Sequence, residues 1–225
     1  MNKIVALLPM KGNSERVKNK NLKDFAGKPL YHYTMQTLLD SKYIESVVVN
    51  TDSKFIKEDI KRNFPDNTII VDRPESIVGD FVSMNKIIEH DINMVDADFY
   101  VQSHSTNPML SVDSVNRAIE KMLQLAQSNT YDSIFSVTKW QTRLYKSDGT
   151  AFNHNPKELL RTQDLEPLFE ENSNFYIFSK TSFREAGNKR IGTRPYLFEI
   201  DKIEAVDIDE PQDFIIAEAL YKLLR

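Results

Sequence analysis

The sequence predicts an α/β fold, a three-layer and mostly parallel β-sheet with helices on both faces. Short β-branched runs alternate along the chain with amphipathic stretches of helical length, which is the pattern of a parallel sheet with crossover helices. A length of 225 residues and a hydrophobic content of 40% are sufficient for one buried core. No repeat or flexible linker interrupts the chain, so we expect a single domain over residues 1–225.

Four buried strands are predicted in the first half of the chain. They are the apolar runs at residues 3–8 (KIVALL), 46–52 (SVVVNTD), 68–73 (TIIVDR) and 98–103 (DFYVQS). In sheets of this kind, ligands bind at the carboxyl ends of the strands. The segments that follow these runs are therefore where we expect a site.

Helices are predicted between and after these strands. Apolar residues recur at helical spacing over residues 29–43, 53–64, 83–92 and 111–127. We place Pro29 in the first turn of the first helix, and Ser53 and Ser111 at N-caps, where their hydroxyls can accept backbone N–H groups.

The alternation breaks after a further predicted strand at residues 132–140. The Asp148-Gly149 pair is a hairpin-turn signal, and residues 161–172 are polar and irregular. We therefore expect a small inserted antiparallel lobe over about residues 138–172. The sheet is predicted to resume at 174–179 and 203–209, and a last helix to begin at Glu210-Pro211.

A basic segment follows the first predicted strand. Between Leu7 and Leu30 the chain carries six Lys and Arg residues against only Glu15 and Asp24. The glycine patterns of a Walker loop and of a dinucleotide fingerprint are absent, since only Gly12 lies near the strand end. An anion would therefore be held by Lys and Arg side chains with a few backbone N–H groups. A solvated basic surface is the alternative.

A pair of carboxylates precedes the last predicted helix. Asp207 and Asp209 are two residues apart and would face the same side of a strand. Two such carboxylates repel each other, and a divalent cation relieves the repulsion. Mg²⁺ prefers one or two carboxylates together with phosphate oxygens, which suits this pair. The alternative is that Asp209 only caps the last helix.

The composition excludes several other classes. A net charge of −4 argues against a nucleic-acid partner. The absence of Cys excludes disulfides and thiolate metal sites, and the four His residues lack zinc-ligand spacing. No G-x-S-x-G nucleophile motif is present. No apolar run is long enough for a membrane span or a signal peptide, so we expect a cytoplasmic protein without a membrane partner.

Motifs distributed along nearly the whole chain match one known family. Residues 10–21 (MKGNSERVKNKN) follow the family pattern ARGGSKGIPxKN at Ser14, Lys20 and Asn21. Further matches are residues 27–30 (GKPL), Thr51-Asp52, Arg73-Pro74 with Asp80, Thr106 with Pro108, residues 161–172 (RTQDLEPLFEEN) and residues 207–214 (DIDEPQDF). The sequence therefore resembles the acylneuraminate cytidylyltransferases, which make CMP-activated nonulosonic acids such as CMP-sialic acid.

Four positions depart from the family pattern. Lys11 replaces an Arg, and Glu15 replaces a Lys, in the segment that would meet the phosphates. His104 replaces a Gln, and Ser173 replaces a Gly, where the acceptor would lie. The resemblance therefore supports the nucleotide more strongly than the acceptor.

The resemblance implies a nucleotide-diphospho-sugar transferase-like fold and a cytidylyltransferase reaction. CMP would pass from CTP to the anomeric hydroxyl of an acidic, sialic acid-like sugar, with release of pyrophosphate and with Mg²⁺ as cofactor. It also implies a homodimer in which the inserted lobe borders the partner's site. The alternatives are another small acid or a phosphonate as acceptor, a glycosyltransferase of similar nucleotide fold, and an inactive nucleotide-binding module.

The resemblance also implies roles for individual residues. The catalytic residues would be Lys20, Arg16 and Asp209, with Asp207 and Asp209 holding the metal. The nucleotide-binding residues would be Lys11, Gly12, Ser14, Asn21, Arg73, Asp80 and Ser83. The acceptor-binding residues would be His104, Thr106, Arg143, Arg161 and Gln163.

Two of these arginines have purely structural roles as alternatives. Arg143 or Arg161 would grip the acceptor's carboxylate, but Arg161 has Asp164 and Glu171 as alternative partners. Arg73 has a structural ion pair as its alternative.

Overall fold

The computed structural model describes residues 2–224, and a mixed sheet of seven strands forms its centre. The strands are β1 (Ile4–Leu7), β2 (Asp24–Phe25), β3 (Lys28–Pro29), β4 (Ser46–Thr51), β5 (Thr68–Asp72), β6 (Phe99–Ser103), β7 (Ser133–Trp140), β8 (Leu168–Phe178) and β9 (Pro195–Glu199). The helices are α1 (Tyr31–Leu39), α2 (Lys54–Asn63), α3 (Met84–Met94), α4 (Val112–Ser128), α5 (Lys180–Glu185) and α6 (Pro211–Leu224).

The central sheet has the order β5-β4-β1-β6-β8-β7-β9. All neighbours are parallel except for β8, which is antiparallel to both β6 and β7. The predicted α/β class with a mostly parallel sheet is therefore confirmed. The short strands β2 and β3 form a separate antiparallel pair.

Strand alternation distributes the apolar side chains between the two faces of the sheet. Val47 and Val49 pack on one face with α1, α2 and α4, whereas Val48 packs on the other with α3 and α5. Because side chains alternate along a strand, a run of three valines serves both faces. The three-layer arrangement is confirmed. No helix within residues 2–224 is long and apolar enough to cross a membrane.

The predicted N-caps are confirmed. Ser53 accepts the N–H of Ile56 at 3.3 Å, and Ser111 accepts the N–H of Ser114 at 3.1 Å. The placement of Pro29 was wrong, because it pairs with Asp24 in the β2–β3 hairpin and α1 begins at Tyr31.

Residues 203–209 do not form the predicted strand. Ile208, one of their apolar residues, is buried beside Phe214 of α6, and its N–H donates to the carbonyl of Thr106 at 3.0 Å. The last parallel strand is instead β9, which pairs with β7. It begins with Pro195, which lacks an N–H and is tolerated at the first position of a strand.

The inserted segment extends from the hairpin formed by β7 and β8. The two strands stay paired as far as Trp140 and Leu168. Residues 141–167 connect them through a small antiparallel bridge between Tyr145 and Ala151, which closes over the Asp148-Gly149 turn.

Asp132 fixes the chain that leads into β9. Its carboxylate accepts the N–H groups of Thr193 and Arg194, both at 3.0 Å, and the Thr193 hydroxyl at 2.6 Å. Although burial favours the neutral carboxyl, these bonds hold the pKa of Asp132 below its ordinary value. Gly192 passes directly beside this carboxylate with φ +47°.

We predict that Gly192→Ala destabilises the fold much more than Gly187→Ala. A Cβ on Gly192 would lie 2.2 Å from the Asp132 Oδ1 atom and 2.4 Å from the Ser133 Oγ atom. The left-handed backbone strain and the disrupted hydrogen bonds together should lower the free energy of unfolding by about 3 kcal/mol. Gly187 also has positive φ, +71°, but its Cβ would meet nothing within 4 Å, so about 1 kcal/mol is expected. Urea unfolding measures both, and equal losses would contradict the role of Asp132.

Candidate functional site

A cavity of about 410 Å³ lies at the carboxyl ends of the parallel strands. Pro9 to Lys11 line it after β1, Arg73 after β5, and His104 to Thr106 after β6. This is the edge at which ligands bind in open α/β sheets. The predicted site residues that line it are Lys11, Ser14, Arg16, Lys20, Asn21, Arg73, Asp80, His104, Thr106, Asp207 and Asp209.

Lys20 joins the basic segment to the acidic segment before α6. Its side chain is only 12% exposed, its Nζ donates to the carbonyl of Ile208 at 2.5 Å, and it lies 3.6 Å from the Asp209 Oδ1 atom. Arg16 is more exposed and contacts Asp209 at 2.9 Å and Glu210 at 3.2 Å. Two cations of the basic segment therefore converge on Asp209, whereas Lys18, Lys23 and Lys28 are exposed.

Lys11 is a third cation of this segment that lines the cavity. The Lys11 ammonium lies 2.5 Å from the Asp80 Oδ1 atom, and this contact lowers the pKa of Asp80. Both side chains are nearly half exposed. Exposed ion pairs of this kind are weak, so a polyanion can compete for the lysine at small cost.

Asp207 has an unsatisfied oxygen. Its Oδ1 atom is buried and has no hydrogen-bond partner among the described residues. Burial raises the pKa of Asp207, and the charge of Asp209 adds to this effect, against the Thr106 hydroxyl and Lys20. A cation at this oxygen would remove the penalty.

The donor set around Asp207 fits Mg²⁺ only with help from substrate. Residues 2–224 contain no group of three or more His, Cys, Asp or Glu side chains that could hold a metal ion. Asp207 and Asp209 supply two carboxylates, and phosphate oxygens would complete an octahedral shell. The residues present therefore fit a magnesium–nucleotide complex better than a free metal ion.

Asn21 and Arg73 are held by neutral groups. Asn21 donates to the carbonyl of Lys11 at 3.0 Å and accepts the Ser105 hydroxyl at 2.6 Å. The Arg73 Nε and Nη2 atoms donate to the side chain and backbone oxygens of Asn50, at 2.7 and 2.9 Å. These contacts are hydrogen bonds to neutral oxygens, so they do not form the structural ion pair that was the alternative for Arg73. Its Nη1 atom makes none of these bonds.

Arg190 also lines the cavity and was not predicted from the sequence. Its Nη1 atom donates to the Gln102 Oε1 atom at 2.6 Å and to the His104 Nε2 atom at 3.1 Å. Its guanidinium lies 3.6 Å from the ring centre of Tyr176. Arg190 lies between α5 and β9, two elements that the sequence pattern also missed, and no motif marks it.

His104 is electrically neutral in this setting. Burial, followed by the positive charges of Arg190 and Lys20, lowers the pKa of His104 to about 3. Since a guanidinium only donates hydrogen bonds, the His104 Nε2 atom accepts and the proton resides on Nδ1. His104 therefore offers a neutral hydrogen-bond partner at the position where the resembled family has Gln.

A bulge brings Ser173 to the cavity wall. The register of β7 with β8 shifts between Phe135 and Val137, and Ser173 has a φ of +59°. Its hydroxyl lies 3.2 Å from the Tyr176 hydroxyl, which donates its own hydrogen to the Glu171 carboxylate. Bulges commonly redirect side chains next to sites, and the left-handed conformation accounts for the Gly of the family pattern.

Two predicted nucleotide-binding residues lie outside this cavity. Gly12 donates its N–H to Asp52 at 2.7 Å and lines a neighbouring depression of about 710 Å³. A Cβ there would lie 2.9 Å from the Ser53 Cβ, so glycine permits a close approach to α2. Ser83 is the N-cap of α3, where it accepts the N–H of Asn85.

Three predicted acceptor-binding residues lie in the insertion and do not line the cavity of their own chain. Arg161 is 72% exposed and binds Asp164 with two hydrogen bonds, at 2.7 and 3.0 Å, which is the alternative pairing noted from the sequence. Arg143 donates to the carbonyl of Leu160, and the carbonyl of Gln163 accepts from Gln141.

Comparison with known proteins identifies the family. Residues 5–223 match the family model described as Cytidylyltransferase. The chain belongs to this family.

Relatives of this cytidylyltransferase include three bacterial proteins. It is 24% identical to the pseudaminic acid cytidylyltransferase of Campylobacter jejuni, over 98% of this chain and 97% of that protein. It is 28% identical to the CMP-N,N'-diacetyllegionaminic acid synthase of Legionella pneumophila, over 98% of this chain and 97% of that protein. The N-acylneuraminate cytidylyltransferase of Escherichia coli is 25% identical over 96% of this chain, which spans 51% of that relative's length.

Solved structures share the fold. A CMP:2-keto-3-deoxy-manno-octonic acid synthetase complexed with CTP matches with a TM-score of 0.70 at 15% identity, covering 99% of this chain and 100% of that one. A 4-diphosphocytidyl-2C-methyl-D-erythritol synthase matches with a TM-score of 0.69 at 13% identity, covering 98% and 100%. At these identities the likeness establishes the nucleotide-sugar transferase-like fold of this cytidylyltransferase.

Proposed function

We propose that this cytidylyltransferase transfers CMP from CTP to the anomeric hydroxyl of an acidic, sialic acid-like nonulosonic sugar. The observation that carries the proposal is the convergence of Lys20, Asp207 and Asp209 in one cavity at the carboxyl edge of the sheet. Cations that hold phosphates next to carboxylates that hold a metal are the parts of a nucleotidyl-transfer site. Relatives named for pseudaminic, legionaminic and N-acylneuraminic acid support the acceptor class.

In this proposal the basic segment binds the triphosphate. Lys20 and Arg16 neutralise the charge that develops on the departing pyrophosphate, and Lys11 and Ser14 bind its outer oxygens. Asn21 and Arg73 border the cytosine, whose O2 and N3 atoms accept hydrogen bonds from amide and guanidinium donors. Gly12, Ser83 and Asp80 shape the loops around the nucleotide.

The proposed reaction is a single in-line displacement. The anomeric oxygen forms a bond to the α-phosphorus, the bond from that phosphorus to the bridging β-oxygen breaks, and pyrophosphate leaves. The hydroxyl proton passes to water. We assign Mg²⁺ to Asp207 and Asp209, where it would supply positive charge to the phosphate oxygens. Lys20 keeps the loop of Asp209 in place through the carbonyl of Ile208.

We also propose a homodimer formed through the insertion. Large apolar side chains of this region are more than a third exposed, and Trp140, Leu144, Phe152 and Phe169 surround a depression of about 540 Å³. A second copy of the chain would cover them and could bring Arg143, Arg161 and Gln163 to its neighbour's cavity. No nucleic-acid partner is proposed, given the net charge of −4. The enzyme is proposed to be cytoplasmic, where CTP is available.

Pyrophosphate release tests the function. With Mg²⁺ and CTP, at least one of pseudaminic, legionaminic or N-acetylneuraminic acid should support turnover, and chelation should abolish it. The rate of pyrophosphate release with CTP should exceed the rates with UTP, ATP and GTP. Asp209→Asn should lower kcat by about 100-fold or more because it removes a charge that holds the metal. Asp201→Asn, at an exposed position eight residues earlier, is the control. Absence of turnover with all three acids would refute the proposed acceptor class.

Light scattering tests the dimer. The wild type should have a mass of about 52 kDa, twice the 26.1 kDa of the chain. Phe152→Glu, which charges the exposed insertion, should shift it toward 26.1 kDa. Ile215→Glu is the control, because Ile215 is similarly exposed but lies on α6. A wild-type mass of one chain would contradict the assembly.

A further inference from the structure

The proposed acceptor carries a carboxylate beside its reacting hydroxyl, so its site needs a cation apart from those that hold the triphosphate. The basic residues that line the cavity are Lys11, Arg16, Lys20, Arg73 and Arg190. The first three belong to the segment assigned to phosphates. Arg73 has both Nε and Nη2 bound to oxygens of Asn50. Arg190 is the lining cation that has no assigned partner in the reaction.

The hydrogen bonds from the Arg190 guanidinium go to neutral groups. Its side chain is 16% exposed, and its two hydrogen bonds from Nη1 go to Gln102 and to His104, which is uncharged. The face of the guanidinium rests on the Tyr176 ring, at 3.6 Å from the ring centre. These contacts orient the guanidinium but do not neutralise its positive charge. Its nearest carboxylate is that of Glu171, 3.9 Å from Nη2, beyond hydrogen-bonding distance.

Arg190 forms an ion pair with Glu171 at 3.9 Å, but Glu171 is 42% exposed and the contact is too long for a hydrogen bond, so an anion in the cavity would lower the cost of burying the guanidinium. Burial accordingly lowers the pKa of Arg190, against the influence of Tyr176 and Glu171. Lys11 and Arg16, by contrast, already have carboxylates at 2.5 and 2.9 Å. Arg161 is exposed and doubly bonded to Asp164. Since Arg73 is assigned to the cytosine, Arg190 is the preoriented planar cation of the cavity that remains for a carboxylate.

Resting on the proposed function, we propose that Arg190 binds the carboxylate of the acceptor sugar and selects acidic acceptors. Tyr176, Gln102 and His104 act as positioning residues that hold the guanidinium in place. The acid would lie between Arg190 and the phosphates, beside His104, which contacts Arg190 at 3.1 Å and lines the same cavity as Lys20.

The test compares two acceptors in each of four proteins. The acceptors are the nonulosonic acid that the wild type uses best and its methyl ester, which lacks the negative charge. The proteins are the wild type, Arg190→Met, Arg161→Met and, as control, Arg194→Met, which changes an exposed arginine of the same segment. The readouts are kcat/KM for each acceptor at saturating CTP, and KM for CTP.

The wild type should prefer the acid to the ester by about 100-fold, the value for loss of one buried charged partner. Arg190→Met should lower kcat/KM for the acid by about 100-fold. In the same variant, kcat/KM for the ester should change less than about threefold, and KM for CTP should stay constant. Arg194→Met should retain the wild-type preference. The preference should fall less in Arg161→Met than in Arg190→Met, because Arg161 is already paired with Asp164.

Three results would overturn the assignment. In the first, Arg190→Met lowers kcat/KM for the acid and for the ester equally, which indicates a structural role. In the second, KM for CTP rises in parallel. In the third, the preference collapses in Arg161→Met and not in Arg190→Met. If Arg190→Met does not fold, Arg190→Lys replaces it, and an unchanged acid-to-ester ratio in that variant overturns the assignment. A wild type without turnover on any nonulosonic acid refutes the proposed function itself, and the role of Arg190 falls with it.

Discussion

The bond from the Lys20 ammonium to the carbonyl of Ile208 is the contact on which the site depends. It joins two segments that are 188 residues apart in the chain. Ile208 is buried with Val17, Phe25 and Phe214, so apolar packing fixes the carbonyl that Lys20 reaches. The flanking residues Asp207 and Asp209 are then held beside the basic segment, which places carboxylates and cations around one cavity.

Much of the fold could be predicted from the sequence because local signals agree with the tertiary structure. The valines of β4 serve both sheet faces, and Ser53 and Ser111 cap helices as their positions indicate. The failures occur where packing overrides local pattern. Ile208 alternates like a strand residue but is buried against α6, and the Asp132 carboxylate fixes the start of β9, which has no strong sequence signal.

The site could be predicted in part. Lys20, Asp207 and Asp209 lie together, although the strand expected to align the two carboxylates does not form. Arg190 could not be found, because its place in the cavity is set by contacts with residues of other elements, Gln102 and His104 on one side and Tyr176 on the other. Family motifs indicated His104 but not the arginine that bonds to it. For the insertion, a single chain supplies the residues but not the neighbour that the proposed dimer would provide.

Calorimetric binding of CTP tests the central claim, that Lys20 holds the triphosphate in this cavity. Lys20→Met should weaken CTP binding by about 100-fold, because a charge-assisted contact is lost in a largely buried setting. Lys28→Met, at an exposed position of the same basic segment, should leave the affinity within about twofold of the wild type. Equal weakening in both variants would mean that the segment attracts nucleotide only as a general basic surface, and would contradict this account of the site.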